Sequence, residues 1–205
     1  WATHRGTRCC LACLAEHSVW KSIWKLKTSA VCPTHRLRLV DTCPACGIRP
    51  RAGTRTHARP ESTTTPPATT ECRNRSNGTN CTHDHTQTPA AAVRAELTAT
   101  QLELDRILQG KSAELLGRPA THIEYCDHLK YLTAVMLTTI QPSDIDGPVD
   151  AATLAWFNDR EAASAPPPVT AGPPTATLTI ATTLTAVRIL RDHNPERLQR
   201  ALAPI

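Results

Sequence analysis

With 205 residues, 40% of them hydrophobic but only 3% aromatic, the chain is long enough for one medium or two small domains and too poor in large apolar side chains for an extensive core. The formal net charge is +5, and no run of 18 apolar residues occurs, as a membrane-spanning helix would need. Nine cysteines are an odd count with no signal-like apolar run, which argues against a secreted disulfide framework, so reduced thiols and a cytoplasmic setting are expected.

The cysteines fall in pairs. Cys10/Cys13, Cys32/His35, Cys43/Cys46 and Cys72/Cys81 fill the first eighty-one residues, and the first three pairs have the two-residue gaps of metal ligands. Four soft or borderline ligands hold one Zn2+ tetrahedrally, and in a small domain that binding free energy is folding free energy. Two zinc ions are therefore expected. Bound cysteines are thiolates, so seven of them and two Zn2+ move the net charge from +5 to +2. Residues 1–85 hold 13 Lys and Arg against five Asp and Glu, whereas residues 86–205 hold ten against 13. A basic metal unit followed by a mildly acidic partner is compatible with phosphate contact.

Between the first two pairs Trp20 and Trp24 lie four apart, positioned to pack over a small zinc unit. Arg36 to Val40 alternates polar and apolar, which predicts a strand. Cys43-Pro44-Ala45-Cys46-Gly47 has the form of a metal knuckle, with Gly47 free to take a positive φ. Residues 50–71 are rich in Arg, Thr and Pro and predict a flexible loop, across which Cys72 and Cys81 can still close onto Cys43 and Cys46. His83 or His85 is an alternative ligand in that second site.

Helical periodicity begins at Val93 and runs through Leu97, Leu104 and Leu108 to Gly110. Thr121-x-x-Glu124 is a capping box opening a second helix, with Ile123, Leu129, Leu132, Met136 and Ile140 as its expected buried face. Asp150 caps a third helix containing Leu154, Trp156 and Phe157. After a Pro-rich linker over 166–176, a fourth helix is predicted over Thr177–Asp192, and Asn194-Pro195 starts a short fifth. The expected fold is thus a small zinc-stabilised α+β double knuckle over 1–88, followed by a mainly α-helical region over 89–165 and C-terminal helices over 177–205. Cys126 is expected as a buried apolar residue.

Cys10-Leu11-Ala12-Cys13-Leu14-Ala15-Glu16, Trp20-x3-Trp24-x-Leu26, Val31-Cys32-Pro33-x-His35 and Leu39-x-Asp41-x-Cys43-Pro44-x-Cys46-Gly47, in this order, resemble the TniQ family of bacterial transposon proteins. The likeness covers about forty residues and continues weakly through Cys81-x-His83-Asp84. It implies a target-site adaptor that performs no strand chemistry and contacts DNA or a target-recognising nucleoprotein complex on one side and transposition proteins on the other. It also implies a first zinc site of Cys10, Cys13, Cys32 and His35 and a second of Cys43, Cys46, Cys72 and Cys81. The chain departs from the family in the extra Cys9, in Lys27 where Pro is common, and in lacking the family's N-terminal region. Both ends read as truncated.

Other readings of the same residues are weighed beside it. Closed four-ligand zinc sites are scaffolding, since no coordination position stays open for water. His122-x-Glu124 follows the Cys43/Cys46 pair, the reverse of the zinc-deaminase order. No Gly-rich phosphate loop or nucleophile elbow is present, so no enzyme is expected. A cross-braced, RING-like protein–protein module without DNA contact, with pairs one and three sharing one ion, stays open, although the seven residues between pairs two and three favour sequential sites. Lys21, Lys25, Lys27, Arg36, Arg38, Arg49 and Arg51 are the candidate phosphate contacts, each equally at home on a solvated face.

Overall fold

A computed structural model of the chain describes residues 1–3, 6–52, 70–76, 78–147, 149–163 and 172–192. Its N-terminal part carries two clusters of four metal-ligand side chains among short strands, and its C-terminal part is mainly helical.

The first cluster is assembled by one short helix and one hairpin. Helix α1 (Leu11–His17) has Cys10 at its N-cap and ends at Ser18, which takes a left-handed φ of 53° and returns its N–H to Leu14. Strands β1 (Val31–Cys32) and β2 (Leu37–Arg38) pair antiparallel, Cys32 opposite Leu37, across a turn that places Arg36 at φ 54°. The strand predicted over 36–40 is therefore confined to two residues, because the positive φ at Arg36 belongs to the turn. Cys9 and Val40 exchange backbone hydrogen bonds of 2.9 and 2.8 Å, tying the helix N-terminus to the end of the hairpin. Leu11, Leu14, Trp24 and Leu39 pack with the buried sulfurs into one small cluster.

The second cluster begins at the 43–47 turn. Gly47 has the anticipated positive φ of 68°, and its N–H closes the turn onto the Cys43 carbonyl at 2.9 Å. The chain returns through Cys72 to the hairpin β3 (Arg75–Ser76) and β4 (Thr79–Asn80). Residues 53–69 of the expected loop lie outside the described residues. Ala91 and Val93 then bond to Arg38 and Arg36, extending the first hairpin and leading into the helices.

Helix α2 (Ala95–Leu108) is followed by a hairpin that the periodicity did not reveal, β5 (Ala113–Leu115) and β6 (Arg118–Ala120). Leu116 and Gly117 between them have φ of 50° and 80°, as a two-residue turn of the primed type requires. Helix α3 (His122–Thr139) starts as the capping box predicts, Thr121 Oγ1 accepting from the Glu124 N–H. Its buried face is Tyr125, Leu129, Leu132, Thr133 and Leu137. Ile123, expected on that face, is 63% exposed. Six residues before Leu129 at about 100° per residue, it lies about 120° round the helix from that residue and off the buried face. Helix α4 (Ala151–Ala162) is capped by Asp150 as anticipated, buries Phe157 and leaves Leu154 exposed. Arg160 donates to the Leu137 and Ile140 carbonyls, so α4 supplies the basic cap at the end of α3.

The fourth predicted helix is present but irregular. It runs as α5 (Ala176–Leu178), a π-helical stretch (Thr179–Leu184) and α6 (Thr185–Arg191). Thr179 and Thr182 turn their hydroxyls back onto the Thr175 and Leu178 carbonyls, competing with the regular ladder. The proposed fifth helix at Asn194 lies outside the described residues. Leu104, Ile107, Leu115, Leu129, Leu132, Leu184, Val187 and Leu190 form the main core, and Ala30 and Val31 from the first hairpin belong to it. Gln101 of α2 reinforces that junction: its Oε1 accepts from both the Ala30 and Val31 N–H groups, one residue before the ligand Cys32.

Candidate metal centre

Helix α1 brings Cys10 and Cys13 to one end of the β1–β2 hairpin, where Cys32 ends β1 and His35 sits in the turn. His35 Nδ1 lies 3.5, 3.3 and 3.6 Å from the sulfurs of Cys10, Cys13 and Cys32, and Cys13 Sγ lies 3.7 Å from Cys32 Sγ. A tetrahedron with metal–sulfur bonds of about 2.3 Å and a metal–nitrogen bond of about 2.0 Å has edges of roughly 3.5–3.8 Å. The observed separations fit it. Without a metal the sulfurs must share protons. A hydrogen bond from the Cys10 thiol draws Cys32 down to about 4, and the same bond pushes Cys10 far up. A bound Zn2+ replaces those protons with one central charge.

The second cluster has the same dimensions. Cys43 Sγ lies 3.9 Å from Cys81 Sγ, and Cys46 Sγ lies 3.7 Å from Cys72 Sγ. All four ligand atoms of each cluster fall within 4.8 Å of one another. The eight predicted ligands thus come together as two tetrads, pairs one and two in one and pairs three and four in the other. This is the sequential arrangement. A cross-braced pairing is not what the fold brings together. Cys9 belongs to neither tetrad. It is fully buried, and burial pushes its thiol up to about 12, so it stays neutral in the core. Cys126 is half-buried rather than buried, being on the flank of α3.

Two further side chains serve the tetrads, and ligand spacing does not reveal them. Glu16 lies three residues beyond Cys13 on α1 and holds His35 Nε2 at 2.9 Å, which leaves Nδ1 facing the sulfurs. A carboxylate on the far nitrogen fixes the tautomer and makes the ligand nitrogen more basic. Glu16 is visible in the sequence only as the seventh residue of the Cys10 motif. Glu16→Gln is expected to weaken zinc at the first tetrad about 10- to 100-fold, read by competition with a colorimetric chelator, while the second tetrad keeps its affinity. At the second tetrad Asn74 Nδ2 approaches Cys46 Sγ at 3.8 Å and donates to the Arg49 carbonyl at 2.7 Å, locking the two strands of ligand-bearing chain together.

The basic residues divide by environment. Lys21, Lys25 and Arg36 are exposed. Arg51 lies with its guanidinium 4.1 Å from the Trp20 ring. Trp24 is buried, and Trp20 meets it edge-on at 6.5 Å, so the pair packs over the first tetrad as anticipated. Three of the proposed phosphate contacts are instead directed at the C-terminal helix. Arg38 bonds to Thr177 Oγ1 at 2.8 Å and pairs with Asp150 at 3.8 Å. Arg49 donates to the Pro174 carbonyl, and half-buried Lys27 packs its Cδ close over Gly172. Burial lowers the pKa of both. These three are drawn inward because the chain from Gly172 to Thr177, counted within the predicted linker and helix start, lies against the metal unit.

No described helix is long and apolar enough to cross a membrane. No protein-family model, curated protein or solved structure matches the chain.

Proposed function

We propose that the chain is a TniQ-like, zinc-stabilised adaptor of DNA transposition, working in the cytoplasm and performing no catalysis of its own. The observation that carries this reading is the pairing of the eight ligands: the residues of the TniQ-like motif, in its order, are those that meet in the two tetrads. Both tetrads are complete with four protein ligands, the composition of structural zinc sites. Their role is to give a core-poor stretch a fixed outline. In this reading the basic knuckle unit contacts DNA or a nucleoprotein target complex and the helices contact a transposition protein.

Lys21, Lys25 and Arg36 are the exposed cations of the original candidate set and carry the DNA contact. The test is a salt titration of duplex binding by the intact chain. Wild type is expected to bind at low salt, with log affinity falling by about 0.9 per phosphate contacted for each decade of salt. The triple alanine variant is expected to flatten that slope by two to three contacts. Undetectable binding at low salt removes DNA contact from the proposal.

The inward use of Lys27, Arg38 and Arg49 favours a second reading, a protein–protein module with no DNA contact. An interaction with a partner that persists after nuclease digestion distinguishes it.

A further inference from the structure

Just beyond Cys81, within four residues, the chain carries two imidazoles that neither tetrad uses, His83 and His85. His85 is fully buried, and neither of its ring nitrogens has a hydrogen-bond partner among the described residues. Leaving buried polar groups unanswered is destabilising, which a unit with so small a core is poorly placed to absorb. The ring is nevertheless held firmly, edge-on to Trp20 at 5.9 Å and to His83 at 5.6 Å. His83 commits Nε2 to Thr88 Oγ1 at 2.9 Å and so keeps Nδ1 for another partner. An oxygen on the far nitrogen is what orients a metal-bound imidazole. Cys43 completes the set: its sulfur and one nitrogen from each of His83 and His85 lie within 4.8 Å of one another.

We propose that Cys43, His83 and His85 form a third metal position, taking Zn2+ or a similar borderline divalent cation, with the Cys43 thiolate bridging it to the ion of the second tetrad. A thiolate sulfur has lone pairs enough to serve two ions, and two imidazoles with one sulfur form a ligand set suited to zinc. The position differs in kind from the tetrads. Three protein ligands leave a fourth coordination site for water or for a donor from a partner. Cys43 and His85 are buried and His83 only partly so, which makes His83 the member that borders solvent. A filled site also answers one of the two orphaned nitrogens of His85, which no described residue does.

The proposal rests on the second tetrad being occupied, and the test separates the two. Native mass spectrometry of the full chain during a Zn2+ titration should show two ions bound first and a third at higher zinc. His83→Ala and His85→Phe should each stop at two. His83→Ala removes a half-exposed ring, so it decides the matter even where the buried His85→Phe fails to fold. A wild-type chain that saturates at two ions overturns the third position and leaves the tetrads intact. So does a third ion retained in His83→Ala, which is adventitious binding. A fall from two ions to one in His83→Ala overturns it as well, since the imidazoles then belong to the second ion. A wild-type chain with no ion is the different failure, that of the zinc scaffold itself.

Discussion

Cys32→Ser is expected to lower the zinc content from two ions to one and to unfold the chain around the first tetrad. Cys32 is 1% exposed and sits on β1 with its sulfur 3.7 Å from that of Cys13. A serine hydroxyl stays protonated near neutral pH and is a poor zinc ligand, so three ligands remain, two of them buried sulfurs. Structural zinc contributes on the order of 10–16 kcal/mol in small domains, as much as or more than the whole stability of a typical domain, about 5–15 kcal/mol. The apolar cluster beside the tetrad is too small to replace it. Hydrogen exchange is the direct reading. The amides of Cys9, Leu39 and Val40, all bonded across this unit, should lose nearly all protection. Cys43→Ser gives the complementary result, loss of the second tetrad's metal with the first ion retained, because the two sets share no ligand. Loss of the ion held by Cys10 and Cys13 in Cys43→Ser would contradict sequential sites.

The metal ligands were readable from the sequence because their chemistry is set by residue type and gap length, and α1 and the β1–β2 turn translate those gaps directly into proximity. Helix starts were readable where the cap is local, as at Thr121 and Asp150. Features decided by distant packing were not. Arg38 and Arg49 look alike on paper to Lys21 and Arg36, and only the course of residues 172–177 past the knuckles separates the two groups. Ile123 follows the helical period of its neighbours loosely, yet a shift of two residues turns it to solvent. The β5–β6 hairpin depends on a positive φ at Leu116, a residue type that gives no warning of it. The π-helical stretch depends on threonine hydroxyls bonding backward, which composition hints at through its run of threonines but does not place. Glu16 and Asn74 support ligands from outside the spacing pattern altogether.

Asp41→Ala is expected to lower stability by about 3–5 kcal/mol, the cost of stranding a buried charge, without removing either zinc ion. Asp41 joins the metal unit to the C-terminal helix. One carboxylate oxygen accepts the Ala176 N–H in the first turn of α5, where helix N–H groups lack internal partners. The same oxygen lies 3.9 Å from Arg8 Nε. Arg8 is fully buried, and desolvation lowers its pKa to about 10 against the opposing pull of Asp41. Its Nη1 donates to the Lys27 carbonyl at 2.9 Å and also to that of Ser29, so the guanidinium is fixed by backbone on one side and by carboxylate on the other. With Asp41 gone, the cation has carbonyl dipoles but no counter-charge, and Ala176 loses its acceptor. Asp41→Asn keeps an acceptor for Ala176 and should cost less. Arg8→Met combined with Asp41→Ala should cost much less than the two single changes added together, because removing both charges leaves none stranded. Urea denaturation under saturating zinc measures the wild type and all four variants. A loss below about 1 kcal/mol in Asp41→Ala would place that carboxylate among surface ion pairs and would leave the seating of the C-terminal helix on the metal unit to its apolar and Arg38 contacts.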